Sequence, residues 1–171
     1  MGTIREEIHQ TRPFESAADE AVVTLIATAD RVRDAVSRVV GERGITLQQY
    51  NVLRILRGAG AAGIPTLDIA TRMIDKSPGV TRLLDRLEAR RLVRRVRCPE
   101  DRRQVLCYAT AQAQQLLADL ESPMAEHARK LLAPLGRTRT LALIGLLDEI
   151  REAAASSTRQ PSKPETIDVQ S

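Results

Sequence analysis

Arginine dominates the chemistry open to this sequence. Between Arg72 and Arg103 stand eleven basic residues against five acidic ones, a local excess of +6 in a chain whose total is +4, so the remainder is net acidic. Positive charge gathered in one segment attracts phosphates and releases their counterions, which a scattered excess does poorly. Charge alone also fits a solvated face. Other reactive groups are sparse. Cys98 and Cys107 are the two thiols and His9 and His127 the two imidazoles, too few for a disulfide framework or a metal set. No nucleophile, base and orienting group come together, so the sequence points away from an enzyme and implies no cofactor and no metal. Cys98 lies among arginines, which favour thiolate and make Cys98 and Cys107 candidates for a redox switch. His127 falls on the side of its helix shared by Met124 and Leu131, as a packed structural residue or as an effector contact.

The elements that must position the arginines follow from periodicity. Ala18, Val22, Leu25, Ala29, Val32, Val36 and Val39 are spaced alternately by four and three, the seam of a long helix over 15–41 that packs lengthwise on another. Thr46-Leu47-Gln48-Gln49 fits a capping box, with Ile45 and Tyr50 as a hydrophobic staple, and opens a helix over 47–57. Gly58 to Gly63 reads as a mobile connection or a short edge strand ending at Ile64. Two short helical patterns follow, 66–74 and 77–91, and suggest a helix-turn-helix. Ser77-Pro78 is a start signal for the second, because Ser caps free amides and Pro at the first position loses no hydrogen bond. Val80, Leu83, Leu84, Leu87 and Arg91 share one side of that helix, while Arg82 and Arg86 point the other way.

Residues 92–98 and 103–109 predict a basic β-hairpin around Pro99-Glu100-Asp101-Arg102, pairing Cys98 with Arg103 and Cys107 with Arg94. The thiols are then too far apart for a disulfide. A long helix over 111–132 should bend or break at Pro123. A last helix over 138–155 carries Leu143, Leu147, Ile150 and Ala154 as a second heptad stripe, and the two stripes fit either a dimer interface or an intrachain bundle. The polar, proline-containing end predicts a disordered tail. No apolar run nears the roughly 20 residues that span a bilayer, and MGTIREEIHQ lacks a secretory pattern, so the expected location is the cytoplasm with no membrane partner.

An α-helix fits the major groove, where exposed arginines bond guanine N7 and O6 or hold phosphates. Arg82 and Arg86 are the expected readers, with Ser77, Pro78, Gly79 and Thr81 at the helix start, where free amides suit a phosphate. Arg97, Asp101, Arg102 and Arg103 belong to the hairpin, whose tip reaches for the adjacent minor groove or its phosphates. Asp101 is expected to orient a neighbouring arginine by a salt bridge. The competing reading is a winged-helix protein-interaction module that docks an acidic partner on the same surface.

These segments resemble the MarR family of bacterial transcriptional regulators over about residues 18–155. ITLQQYNVLRIL is similar to its second helix, TLDIATRM to the first helix-turn-helix element, SPGVTRLLDRLEARRLVRR to the recognition helix, and CPEDRRQVLCYAT to the wing, with Asp101-Arg102-Arg103 matching the wing-tip pattern. The resemblance implies a mainly α fold, a winged helix-turn-helix with a two-stranded β-hairpin wing and long N- and C-terminal dimerisation helices. It divides the chain into an arm (1–14), a helical dimerisation region (15–44 and 111–155), a DNA-binding lobe (45–110) and a tail (156–171). It further implies a homodimer on a pseudo-palindromic duplex DNA operator, usually as a repressor, released by a small-molecule effector in a cleft between the dimerising helices and the DNA lobe, or by cysteine oxidation. Two departures stand out. Arg91 occupies a place where the family commonly has glycine, so a left-handed helix cap would cost roughly 1 kcal/mol unless the chain turns differently. The glycine usual near the start of the following helix is also missing, at Ala111-Gln112-Ala113.

Overall fold

The computed structural model describes residues 2–75, 79–98, 101 and 103–159, in two compact units that divide after His127. The elements run α1 (Ile4–Glu7), α2 (Ala17–Gly41), α3 (Leu47–Ala59), β1 (Ile64–Pro65), α4 (Thr66–Arg72), α5 (Val80–Ala89), β2 (Val93–Arg97), β3 (Val105–Ala109), α6 (Ala111–Leu132) and α7 (Gly136–Arg159), with single 3₁₀ turns at Gly60–Ala62 and Ala133–Leu135. The fold is the mainly helical winged helix-turn-helix that the sequence predicts. Among the described residues, no helix is long and apolar enough to cross a membrane.

Local chemistry explains most boundaries. The Ser16 hydroxyl accepts the Asp19 N–H at 3.1 Å and starts α2. Thr46 and Gln49 form the capping box in full, the Gln49 N–H donating to the Thr46 hydroxyl at 3.2 Å and the Thr46 N–H to Gln49 Oε1 at 3.0 Å. Ile45 and Tyr50, the staple residues, are both buried. Thr110 caps α6 by accepting the Ala113 N–H at 3.2 Å, while its hydroxyl donates to the Arg91 carbonyl at 2.8 Å. That threonine therefore ties the start of α6 to the end of α5. The core of the first unit joins Val52, Leu53 and Leu56 of α3, Ile69 of α4, Leu84 and Leu87 of α5, Val93 and Cys107 of the sheet, and Leu117 and Leu120 of α6.

Several boundaries differ from expectation. Of the two readings of the Gly58–Gly63 segment, a short edge strand is present, one residue later than expected: Ile64 and Pro65 pair antiparallel with Cys107 and Leu106 and add a third strand to the two-stranded hairpin, in the order β1-β3-β2. Gly63 precedes that edge strand with φ +67°, and a Cβ there would lie 2.5 Å from the Tyr108 ring, so both its conformation and its space require glycine. The hairpin register is also one residue from the predicted one. Arg95 faces Cys107 and Arg94 faces Tyr108, and the ladder closes with the Cys98 N–H on the Gln104 carbonyl at 3.0 Å. Asp101 helps to set it: its carbonyl accepts the Gln104 N–H at 2.9 Å and its carboxylate the Arg103 N–H at 3.0 Å. Pro99 and Glu100 of the predicted turn lie outside the described residues. A one-residue slip changes which side chains share a face, and here it puts Arg95 on the face of Cys107.

The predicted start of α5 is corrected too. Its N-cap is Gly79, with φ +134°, so the helix begins at Val80. Ser77, Pro78 and Arg102 lie outside the described residues. At the other end Arg91 is exposed rather than on the apolar side, and it does take the left-handed conformation, with φ +58°. The Leu92 N–H donates to the Leu87 carbonyl (2.9 Å) and the Arg91 N–H to the Glu88 carbonyl (2.8 Å), the paired bonds of a Schellman cap. Leu92 and Leu87, the apolar partners of that motif, are both buried. The chain accepts the strain because the cap directs it straight into β2.

α6 runs without interruption through Pro123, which removes the amide that would have bonded the Asp119 carbonyl. α7 starts at Gly136 and continues to Arg159, four residues into the segment expected to be a tail; 160–171 lie outside the described residues. In α2, Val22 and Ile26 are 56% and 59% exposed, and in α7, Leu141, Ile144, Leu146 and Ile150 are about half exposed. These apolar faces are uncovered.

Replacing Arg91 by glycine should raise unfolding stability by about 1 kcal/mol, the usual cost of a left-handed non-glycine residue. Urea unfolding checks this, and an unchanged or lower midpoint would show that the Arg91 side chain contributes more than its backbone costs.

Candidate nucleic-acid interface

The apolar side of α5 is anchored by Leu84 and Leu87, both fully buried, with Val80 and Leu83 half-buried beside them. At 100° per residue this leaves Thr81, Arg82, Asp85, Arg86, Ala89 and Arg90 exposed. Among the described residues Arg82 and Arg86 have no ion-pair partner. They border a shallow cavity of about 150 Å³ with Gln48, Met73, Asp75, Gly79 and Leu83. Gln48 of α3 donates to the Asp75 carboxylate at 2.8 Å, which ties the segment ahead of α5 to α3.

Beside α5 stands the hairpin, with Arg94, Arg97 and Arg103 exposed. At its turn the two oxygens of Asp101 accept the Arg103 backbone N–H and the Gln104 side-chain amide, both at 3.0 Å, and no described arginine side chain pairs with it. These bonds to local amides shape the tip. Arg102, its other arginine neighbour, lies outside the described residues. On the other hairpin face Arg94 lies 4.5 Å over the Tyr108 ring, a cation–π contact.

Sequence reasoning missed the residues that hold this assembly together. Arg95 of β2 reaches α5, with Nη2 2.6 Å from Asp85 Oδ1 and 2.5 Å from Glu88 Oε2 and Nε 2.8 Å from the latter. The Arg95 backbone N–H also donates to Glu88 Oε1 at 3.2 Å. The hydrogen bond from Arg95 holds the Glu88 carboxyl below its ordinary range, against a smaller opposing effect of burial. Arg90 donates to the Gly44 carbonyl at 2.5 Å and so fastens the end of α5 to the α2–α3 turn. The available signal was Asp85 and Glu88, two acids one turn apart within a basic segment, which call for a nearby cation.

The remaining candidates are dispersed. Cys107 is fully buried with its thiol 3.6 Å from the Thr66 hydroxyl, and burial pushes its pKa up, the opposite of what a reactive thiolate needs. Cys98 is half-buried at the end of β2. His127 is half-buried and its Nε2 is enclosed without a hydrogen-bond partner among the described residues. No group of three potential metal ligands occurs among the described residues.

The MarR family model matches residues 45–105, from the staple of α3 to the first residue of β3. A crystal structure of a MarR transcription factor from Planctomyces limnophilus is 38% identical, with a TM-score of 0.62, covering 80% of this chain and 98% of its own. The chain belongs to the MarR family. It is thus a DNA-binding transcriptional regulator, and members of this family are not enzymes. The HTH-type transcriptional regulator FarR of Neisseria gonorrhoeae is 26% identical over 138 residues, 81% of this MarR chain and 93% of FarR. The S. aureus MepR–DNA complex shares the fold at 20% identity, with a TM-score of 0.69 over 76% of this chain and 95% of MepR.

Glu88 supplies a pH prediction for this MarR protein. A carboxyl whose folded pKa is lowered stabilises the fold above its unfolded pKa, and that contribution disappears as pH falls through the folded value. Urea midpoints should therefore decline through the acid range, and Glu88→Gln should flatten the decline. An identical slope in the variant would remove Glu88 from the account.

Proposed function

We propose that this MarR protein is a repressor that binds a pseudo-palindromic operator as a homodimer and is released by a small-molecule effector. The observation that carries the reading is the face of α5 on which Arg82 and Arg86 are exposed, with no ion-pair partner among the described residues, beside a hairpin bearing Arg97 and Arg103. Such a helix enters the major groove with Arg82 and Arg86 toward base edges, Thr81 and the Gly79 end toward phosphates, and the hairpin along the adjacent minor groove. The uncovered apolar residues of α2 and α7 support self-association, since a solvated stripe of this kind is stable when a second copy buries it. Effector release is supported by a cavity of about 470 Å³ between α2, α3 and the end of α4, within the size range of ligand pockets. Leu47, Met73 and Ile74 give it aliphatic walls, and Arg33, Ser37, Thr46 and Asn51 give it polar groups. This lining suits a small molecule with an anionic or hydrogen-bonding end and no ring-stacking requirement. The same cavity touches Asp75, close ahead of α5, so an occupant there would disturb the helix that reads DNA.

Titration against duplex from the chain's own upstream region, at two salt concentrations, tests the operator reading. Arg82→Ala with Arg86→Ala should cost about 1–3 kcal/mol for each lost base contact and flatten sequence preference. Equal weak binding of every duplex by both proteins would overturn it. Light scattering tests the dimer: Leu141→Glu with Ile144→Glu should yield a folded monomer, and a wild-type monomer would refute the interface.

A further inference from the structure

The cationic segment contains one arginine that turns inward and grips two acids at once. Arg95 rises from β2, on the face of the buried Cys107, and its guanidinium forks onto Asp85 and Glu88 of α5. Its side chain is 26% exposed, in contrast to the exposed Arg94 and Arg97 on either side of it along the strand. Asp85 is the informative partner. It is three residues after Arg82 and one before Arg86, on the exposed side of the helix, where a free carboxylate would repel phosphates or capture Arg82 as an i,i+3 pair. With Asp85 held by Arg95, neither Arg82 nor Arg86 is engaged by it. Glu88, one turn later, receives both the side chain and the backbone N–H of Arg95, which fixes the direction of β2 as well as its position. A planar, forked guanidinium can hold two carboxylates in one geometry, which an ammonium group does poorly.

We propose that Arg95 is a positioning residue for DNA recognition: by holding Asp85 and Glu88 together it sets the wing against the recognition helix and keeps Arg82 and Arg86 free for DNA. The inference rests on the reading that α5 and the wing contact the same half-site. Arg95 itself acts through these partners and touches no DNA. Its contribution is therefore to discrimination, since helix and wing fit one duplex together only when their mutual angle is held.

The test compares affinity for duplex from the chain's own upstream region with affinity for a scrambled duplex of equal length, using the full chain. Wild type, Arg95→Met, and Asp85→Asn with Glu88→Gln are measured side by side, with circular dichroism to confirm folding. Both variants should lower the ratio of specific to scrambled affinity by about tenfold, the equivalent of one ordered contact. Hydroxyl-radical footprints should lose protection where the wing lies and keep it over the major groove. The double variant is decisive, because it adds net positive charge and leaves Arg95 in place. If Arg95 bound phosphate directly, that variant would bind the upstream duplex as tightly as wild type or tighter, with an unchanged ratio, and the proposal would fall. A merely structural role would weaken both duplexes equally, which also overturns it. Should Arg95→Met not fold, the double variant alone decides. A wild type with no preference between the duplexes would refute the operator reading and this inference with it, whereas preference retained in folded variants refutes the inference alone.

Discussion

Burial of Leu84 and Leu87 is the constraint on which the rest of this molecule depends. Both side chains are wholly withdrawn from solvent among residues of α3, α4 and the sheet. Because a helix repeats every 3.6 residues, fixing those two positions fixes the outward direction of Arg82 and Arg86. A substitution on the apolar side would thus turn the cationic side as well as lower stability. Burial also explains why α5 can be short. Ten residues would be marginal alone, but two fully buried leucines, a Schellman cap and the Arg90 bond to Gly44 hold it at three levels.

Electrostatics then divides the basic segment into two populations. Arg82, Arg86, Arg97 and Arg103 stay in water, where an arriving polyanion displaces loosely held counterions. Arg90, Arg94 and Arg95 are committed to a carbonyl, an aromatic ring and a pair of carboxylates. The same residue type therefore builds the platform and furnishes its exposed positive charge. Net charge does not distinguish the two roles; only the partners within reach of each guanidinium do.

Much of this was legible in the sequence, and the failures have identifiable causes. The capping box at Thr46, the alternation in α5 and the basic hairpin are local signals, decided by residues a few positions apart, and they appear as expected. The start of α5 was misplaced because Ser-Pro is a strong opening signal in isolation, whereas the observed N-cap is a glycine whose φ of +134° no periodicity reveals. The hairpin register depended on how its tip closes, and Asp101 accepts two amide groups there, a contact that strand composition does not reveal. The Arg95 pairs join β2 to residues seven and ten positions back, and their geometry exists only once the register is set. Arg91 shows a different limit: the sequence exposed a conflict between a cap and its residue, and only the coordinates show that the cap prevailed.

The contact between Gly63 and Tyr108 reaches further than the edge strand it adjoins. The ring occupies the space a Cβ at residue 63 would need, and the same ring supports Arg94 on the hairpin. These three positions lie far apart in the chain, yet substitutions among them cannot act independently. A larger residue at 63 would need a smaller ring and would still carry the strain of φ +67°, and reducing the ring leaves Arg94 without its aromatic platform. Residue 63 is therefore fixed twice, by its own backbone and by a neighbouring ring, and a change at Tyr108 lifts one of these holds while it loosens the charge arrangement of the wing.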